Sequence, residues 1–391
     1  MIENRKSTPS ASNAFKFVLI LGMVNLFADI TYEGASSING QFLGMLGASA
    51  AAIGIIAGVG EFLGYSLRFV AGYVSDRTGK YWLVTFVGYS VNLLAVPALA
   101  LAGNWQVAAV LMVMERVGRA LRKPPVEAML SYTTGTLGKG WVYAVNNALD
   151  QAGATIGPLL MALVLLLEGN YRTGYAVLLV SALLALATLT LARLFFPNPS
   201  HLEAGPTATA KAFTKSYWFY MLGGACIAAG LVSFELIAYH FSRTGAVTAE
   251  WIPLLFALAM ATDGAAGLIF GKLFDRIGMP AVLVAFLLSS LFAPFVFLGN
   301  FPLAIFGMVL WGIGFGAQDT LLKALIAGIL PEGRRNLAFG LFYTGYGGGW
   351  LVGSVTTGLL YEQSLLLLVA FSIAGQLASL PLFFVGQRTN R

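Results

Sequence analysis

The sequence predicts an all-α protein that crosses a membrane with twelve helices, and three observations lead to this prediction. Of its 391 residues, 58% are hydrophobic and only 10% are charged, whereas a soluble domain is about 25% charged. The apolar stretches run unbroken over about 20 residues, which is the length that a membrane-crossing helix needs. They do not alternate every second residue as barrel strands do. We therefore exclude a soluble globule and an outer-membrane β-barrel.

Twelve apolar runs follow one another, six on each side of a polar segment. Residues 1–13 are polar and are predicted to be a disordered cytoplasmic N-terminus. The first run lacks a small-residue cleavage site, so it is interpreted as a retained helix and not as a signal peptide. The runs cover about residues 14–38, 48–74, 82–102, 105–123, 139–167, 172–195, 217–241, 250–273, 280–299, 302–329, 336–361 and 365–386.

These runs predict two helical bundles joined by a linker. The first six-helix bundle covers residues 14–196 and the second covers residues 216–387. Residues 197–215 form the predicted cytoplasmic linker, and residues 388–391 form a cytoplasmic tail.

The positive charges predict the orientation of the chain. With the N-terminus inside, 19 of the 23 Lys and Arg residues fall on inside segments, and only Arg172 and Arg243 fall outside. Such a bias predicts that both termini are cytoplasmic. The net charge of +6 is thereby explained by topology, so we expect a lipid bilayer and no nucleic acid as partner.

A loop motif occurs twice, at the end of the second run and at the end of the eighth. The two copies lie 199 residues apart and read Gly72-Tyr-Val-Ser-Asp76-Arg77-Thr-Gly79-Lys80 and Gly271-Lys-Leu-Phe-Asp275-Arg276-Ile-Gly278. Duplication at half the chain length is typical of transporters whose two halves enclose a site at the membrane midplane.

This pattern resembles the major facilitator superfamily, and within it the bacterial proton-coupled antiporters and exporters. The resemblance implies two pseudo-symmetric six-helix bundles that work by alternating access. It also implies that the loop motif latches the cytoplasmic ends of the two halves, with Asp76 meeting a helix N-terminus of the opposite half. The residues implied in this gate are Gly72, Asp76, Arg77, Gly79, Lys80, Asp275 and Arg276.

Two looser matches to the same family favour an exporter. Arg116 in the fourth run keeps the arginine of the antiporter motif R-x-x-Q-G without its glutamine and glycine. Gly153, Gly157 and Pro158 in the fifth run resemble the Gly-Pro motif of antiporters without its trailing glycines.

Ionisable residues inside apolar runs are the candidate functional residues, because each costs about 2.5–3.5 kcal/mol at a helix centre. The alternative interpretation is that their ion pairs only hold helices in register. Asp29 and Glu33 lie one helical turn apart, and two adjacent carboxylates cannot both ionise cheaply. Acids assigned to proton coupling or cation binding are Asp29, Glu33, Glu61, Glu115, Asp150 and Asp263, with Arg68 and Arg116 as charge partners.

Other polar residues near these charges are assigned to the cavity or to its mouth. The cavity-lining candidates are Tyr32, Tyr65, Asn146, Asn147, Glu235 and Tyr239. We expect Arg122, Lys123 and Glu127 at a solvated cytoplasmic mouth. Asp319 and Lys323 have the spacing of a local salt bridge.

Together these residues predict a monomeric secondary transporter of a bacterial inner membrane, which exports a small, cationic organic molecule by antiport against H⁺ as the coupling ion. The same fold also allows a proton-coupled importer or a divalent-metal transporter. A non-transporting sensor or scaffold is the alternative from another class. An enzyme is least favoured, because two histidines and one cysteine form no visible catalytic or metal-binding pattern, and we expect no cofactor.

Overall fold

The computed structural model describes residues 11–133, 137, 139–198, 214–327 and 335–389. This part of the chain is built from helices and contains no strand, as the hydropathy pattern predicts. Residues 11–13, predicted to be disordered, instead begin the first helix. Residues 1–10 of the predicted N-terminal segment, most of the predicted linker and the end of the predicted tail lie outside the described residues.

The first half of the chain, as far as the structure describes it, contains six α-helices. Their starts are set locally: the side chain of Ser49 accepts from the backbone N–H of Ala52, and that of Asn104 accepts from Val107 at 2.9 Å. Such caps satisfy N–H groups that have no partner within the helix. The helices are α1 Ala11–Met45, α2 Ala50–Thr78, α3 Tyr81–Ala98, α4 Trp105–Ser131, α5 Lys139–Glu168 and α6 Tyr171–Phe195.

The second half contains shorter pieces, because three of its predicted runs are interrupted. A π-helical turn, Gln318–Leu322, joins the helix that ends at Ala317 to the helix that begins at Lys323. The helices are α7 Lys215–Gly230, α8 Phe234–Thr244, α9 Trp251–Ile277, α10 Met279–Ser290, α11 Phe292–Phe297, α12 Phe301–Ala317, α13 Lys323–Ala327, α14 Arg335–Gln363 and α15 Leu365–Thr389.

Side chains from neighbouring helices stabilise the break between α7 and α8. The carbonyl of Gly230 accepts a hydrogen bond from the Ser372 hydroxyl at 2.6 Å, and the carbonyl of Val232 accepts one from the Trp311 indole at 2.9 Å. Irregular backbone at membrane depth requires such internal donors, because lipid offers none. The break is therefore held by tertiary contacts that the local sequence does not reveal.

Ten helical segments of the described chain are long and apolar enough to cross a membrane. Two further long helices, α4 with 27 residues and α14 with 29, are not among the ten. In α4, five charged side chains between Glu115 and Lys123 lower the mean hydropathy of the helix. In α14, seven glycines have the same effect.

The duplicated loop motif ends equivalent helices. Gly79 follows α2 with a φ of 66°, and Gly278 follows α9 with a φ of 67°. Both values lie in the left-handed region that favours glycine. The helix that follows the next loop is capped by Asn104 in one half and by Asn300 in the other.

Glycines allow the two halves to approach each other at one end of the molecule, near the loop between α1 and α2. Gly40 of α1 lies against the backbone of Glu235 in α8, and Gly54 of α2 lies against the backbone of Ser354 in α14. A Cβ built on Gly58 would lie 3.1 Å from the Cα of Leu351. In a bilayer, such close backbone packing replaces the hydrophobic driving force of water.

Two glycines of α14 give a matched test of this packing. In Gly353→Ala the new Cβ would collide with the backbone of Ala229 in α7, so we expect a loss of about 1–3 kcal/mol of stability. In Gly348→Ala the new methyl group meets no atom within 4 Å, and stability should stay the same or rise. Melting temperatures in detergent distinguish the two variants, and equal values would contradict this account of the packing.

Candidate functional site

Charged side chains gather in two clusters within the helices. The interface cluster lies where the two halves meet, and the bundle cluster lies inside the first half. The interface cluster consists of Glu61, Glu115, Arg116, Arg119 and Glu235. The bundle cluster consists of Asn25, Asp29, Tyr89, Arg122, Asn146 and Asp150.

Arg116 is the centre of the interface cluster. Its side chain is 8% exposed and its Nε lies 3.2 Å from Oε1 of Glu61 on α2. Its Nη2 donates to Oε1 of Glu235 on α8, and its Nη1 donates to the carbonyl of Ala57 at 3.2 Å. A Cβ on Gly60 would lie 2.6 Å from the Arg116 side chain, so a glycine makes room for the guanidinium. Arg116 therefore joins the two halves.

Glu235 reaches Arg116 because of the break before α8. It lies in the first turn of that helix, where the helix dipole stabilises a carboxylate. Assigned to the cavity from sequence, Glu235 is buried and ion-paired in the structure.

Glu115 and Arg119 extend the interface cluster along α4. The Arg119 Nε lies 3.5 Å from Oε1 of Glu115, and its Nη2 lies 3.8 Å from Oε1 of Glu61. Asn92 of α3 donates to Oε1 of Glu115 at 2.8 Å. Glu115 and Arg116 thus have different partners, as the angle of about 100° between consecutive helical residues requires.

Arg122 corrects one expectation from the sequence. The sequence predicted that Arg122 lies at a solvated mouth. In the structure it is 6% exposed and belongs to the bundle cluster. Its Nη2 is 3.7 Å from Oδ1 of Asp29, and its guanidinium lies 4.5 Å from the centre of the Tyr89 ring. The physical reason is a close contact between α3 and α4, since a Cβ on Gly88 would lie 2.8 Å from the Cβ of Arg122.

Asparagines connect the remaining acid of the bundle cluster. Asn25 donates to Oδ1 of Asn146 at 2.9 Å, and Asn146 donates to Oδ2 of Asp150 at 3.2 Å. Oδ1 of Asp150 is buried and has no hydrogen-bond partner among the described residues. The neighbouring Asn147 is exposed.

The predicted Gly-Pro motif brings α5 against α1. A Cβ on Gly153 would lie 2.8 Å from the Cβ of Asp29, and one on Gly157 would lie 3.1 Å from the Cα of Gly34. Pro158 is buried next to this contact. The two glycines thus bring Asp29 and Asp150 within electrostatic reach of each other.

Arg68 differs from its predicted role as a charge partner of an acid. Its Nε donates to the carbonyl of Gly64 at 3.1 Å, and its guanidinium lies 4.6 Å from the Tyr65 ring and 5.6 Å from the Tyr343 ring. Tyr65 stacks on Tyr343 of the opposite half with ring centres 5.6 Å apart. Tyrosine rings are therefore the nearest partners of Arg68, while the carboxylate of Asp319 interacts with it at longer range. Tyr65 lies between the halves.

Three of the predicted acids, Glu33, Asp150 and Asp263, have no basic partner within 4 Å in the described chain. Glu33 of α1 is half-buried and Asp263 of α9 is 8% exposed. They belong to opposite halves and lie within electrostatic reach of each other. By contrast, Asp319 and Lys323 form the expected local salt bridge at 2.9 Å, with side chains 61% and 43% exposed.

The loop motif makes contacts within its own half. Asp76 is exposed and accepts a hydrogen bond from the Tyr81 hydroxyl at 3.0 Å, while Arg77 donates to the Tyr73 hydroxyl at 2.8 Å. Residues 328–334 of the opposite half lie outside the described chain. The other motif residues occupy the ends of α2 and α9. A Cβ built on Gly72 would lie 3.6 Å from the Cβ of Pro124, and Lys80, Asp275 and Arg276 are exposed.

Tyr239 lies at the packed end of the two halves. Its ring is against Gly44 of α1, and its hydroxyl accepts from Arg243 at 2.8 Å. Tyr32, another predicted cavity residue, is 9% exposed and lies between the two clusters.

Removing Arg116 tests whether its ion pairs stabilise the protein. Arg116→Gln leaves Glu61 and Glu235 without their buried partner, and breaking a buried ion pair costs about 3–5 kcal/mol. The matched control Asp319→Asn breaks an exposed pair, which costs less than about 1 kcal/mol. Thermal unfolding in detergent measures both, and a similar small loss in the two variants would contradict the assigned role of Arg116.

Comparison with known proteins agrees with this architecture. The family model described as Major Facilitator Superfamily matches residues 17–245 and 216–389. An uncharacterized protein of Mycobacterium tuberculosis is 35% identical over 386 residues, which cover 97% of this chain and 94% of that protein. An uncharacterized MFS-type transporter of Methanocaldococcus jannaschii is 26% identical over 376 residues, which cover 92% of each chain.

Solved transporter structures share the fold at low sequence identity. The nucleoside transporter NupG has a TM-score of 0.75 at 13% identity, covering 94% of this chain and 100% of its own. The peptide transporter POT has a TM-score of 0.75 at 13% identity, covering 96% and 95%. With the family model matching nearly the whole length, this chain belongs to the Major Facilitator Superfamily of membrane transporters.

Proposed function

We propose that this protein is a proton-coupled antiporter that exports a small organic cation across a bacterial inner membrane. The observation that supports this most is the charge balance in and around the two clusters. Three guanidinium groups, those of Arg116, Arg119 and Arg122, and the more distant ammonium groups of Lys123 and Lys323 face seven carboxyl groups. These acids are Asp29, Glu33, Glu61, Glu115, Asp150, Glu235 and Asp263.

Such an excess of carboxylates is unstable at membrane depth without further positive charge. Uncompensated buried charges are costly, so the acids must bind protons or a cation from outside the protein. A site that accepts either one exchanges them, because binding of the first removes the charge that attracts the second. This competition is the elementary step of a proton–cation antiporter.

The positions of the acids divide these two roles. Asp29 and Asp150 lie inside the first bundle, where the unpartnered Oδ1 of Asp150 can accept a proton. Glu33 and Asp263 lie on opposite halves and within electrostatic reach of each other, so both halves can contribute to one site. We assign the proton to the first pair and the substrate cation to the second.

The packing of the two halves supports alternating access. Gly40 and Gly54 close the end near the loop between α1 and α2. Closer to the other end of the molecule, the side chains of Asp319 and Lys323 in the second half are exposed. They lie within electrostatic reach of Lys123 in the first half. With basic loops at that end, the positive-inside rule makes it cytoplasmic. We therefore infer twelve crossings, including α4 and α14, cytoplasmic termini, and an inward-facing state.

The export direction follows from the resemblance of Arg116 and the Gly153–Pro158 segment to antiporter motifs. No group of three or more His, Cys, Asp or Glu side chains in the described chain is arranged to hold a metal ion. A divalent-metal transporter is therefore not favoured by any observation.

Labelling of single cysteines tests the proposed orientation. In a Cys226→Ser background, we expect Ala249→Cys, in the exposed loop before α9, to react with a membrane-impermeant maleimide in intact cells. Lys272→Cys, exposed near the end of α9, should react only after permeabilisation. The opposite pattern would reverse the orientation.

Proton flux in proteoliposomes tests the proposed antiport. With ethidium and tetraphenylphosphonium as cation probes, addition of the probe to the wild type should change the internal pH. Asp150→Asn should lower this proton flux by about tenfold or more, because a typical coupling free energy corresponds to a change of that size. Glu250→Gln, in an extramembrane loop, is the matched control and should behave as the wild type.

The same experiment predicts a pH dependence. Because protonation of these acids removes negative charge that attracts the cation, apparent probe affinity should fall as the pH falls. Accumulation of either probe without any change of internal pH would contradict proton coupling.

A further inference from the structure

One aromatic ring lies between the two charged clusters. Tyr32 of α1 is 9% exposed. The Cζ of Arg119, from the interface cluster, lies 4.7 Å from the centre of its ring. The Cζ of Arg122, from the bundle cluster, lies 5.4 Å from the same centre. Both distances are within the range of a cation–π interaction, so one ring attracts a guanidinium from each cluster.

A continuous series of contacts leads from this ring to the second half of the protein. Arg119 and Arg116 share one oxygen, Oε1 of Glu61, at 3.8 Å and 3.2 Å. Arg116 in turn donates to Glu235 of α8. A movement of Arg119 therefore changes how strongly Glu61 competes with Glu235 for Arg116.

Through Arg122, the ring is also connected to the acids of the first bundle. Arg122 is held 3.7 Å from Asp29, and Asp29 is within electrostatic reach of Asp150. The Tyr32 hydroxyl is itself a hydrogen-bond partner of Asp29. The further ionisable groups that act on these two acids are Glu33 of α1, Tyr89 of α3, and Lys123 and Glu127 of α4.

We propose that Tyr32 is a positioning residue that transmits the protonation of Asp29 and Asp150 to the Arg116–Glu235 ion pair. This inference rests on the proposed proton coupling. It adds the path by which a proton inside one bundle changes the contact between the two halves.

Electrostatics gives the direction of the effect. Protonation removes the anion that holds Arg122, so Arg122 moves onto the Tyr32 ring. Two guanidinium groups on one ring repel each other, and Arg119 shifts toward Glu61. The ion pair between Glu61 and Arg116 then weakens, and Arg116 binds Glu235 more strongly. Protonation thereby favours the state in which the packed end is closed and the opposite end is open.

No other aromatic ring in the described chain connects the clusters in this way. The Tyr89 ring contacts Arg122, and the Tyr65 ring contacts Arg68, which belongs to neither cluster. In α15, the Cζ of Arg388 lies 4.4 Å from the centre of the Phe384 ring. This pair is far along the chain from both clusters. It supplies a matched control for the loss of a cation–π contact.

The test is the distance between the cytoplasmic ends of the halves, measured by double electron–electron resonance. Spin labels are placed at Ser131→Cys of α4 and Lys272→Cys of α9, both exposed, in a Cys226→Ser background. The labelled protein is studied in lipid nanodiscs from about pH 5 to about pH 9, the range in which buried carboxyl groups titrate. No substrate is needed, so the unknown cargo does not limit the measurement.

We expect the long-distance population to increase toward acid pH in the labelled parent protein. Tyr32→Leu should lose most of this increase, whereas Tyr32→Phe, which keeps the ring, should retain it. Phe384→Leu should respond as the parent does. If the leucine variant is not monodisperse, Tyr32→Met removes the ring with a flexible side chain that packs more easily.

Failure of the inference differs from failure of the proposed function. A parent protein without any pH response contradicts proton coupling itself. A normal response in the parent together with an unchanged response in Tyr32→Leu overturns only the role of Tyr32. Loss of the response in Tyr32→Phe as well would overturn the role of the ring, because the hydroxyl alone differs.

Discussion

The buried guanidinium of Arg116 is the interaction on which the rest of the site depends. It holds Glu61 of the first half and Glu235 of the second in one ion-paired group. Burying charge is costly unless it is paired, so each element around Arg116 must be placed accurately. Gly60 leaves the space for its side chain, and the break before α8 brings Glu235 to it. The contact between the halves is thus electrostatic at its centre.

Small residues make this electrostatic arrangement possible. Lipid gives helices no hydrophobic reason to associate, so close backbone contact must hold them together. Gly153 and Gly157 bring α5 against α1, and Asp150 thereby comes within electrostatic reach of Asp29. Gly88 does the same for α3 and α4, and it carries Arg122 into the first bundle. The positions of the glycines therefore decide which charges can interact.

The sequence predicted which charged residues lie within the membrane-crossing helices. It did not predict the direction in which each side chain points around its helix. Arg122 was expected at a solvated mouth and Arg68 beside a carboxylate, yet one is buried against Asp29 and the other lies on tyrosine rings. Consecutive helical residues point about 100° apart, so an error in helix rotation changes every partner. The sequence identified the acids of both clusters and the counter-charge Arg116, and it missed Arg119 and Arg122 as further counter-charges.

Local chemistry, which the sequence carries by itself, determined the apolar runs, the basic loops and the duplicated motif. Gly79 and Gly278 end equivalent helices because their left-handed backbone favours glycine wherever the motif occurs. Only the tertiary structure decided the break between α7 and α8, the pairing of Arg116 with Glu235, and the place of Tyr32 between two arginines. Those features depend on side chains far apart in the chain, whose contacts arise from helix rotation and packing rather than from local sequence.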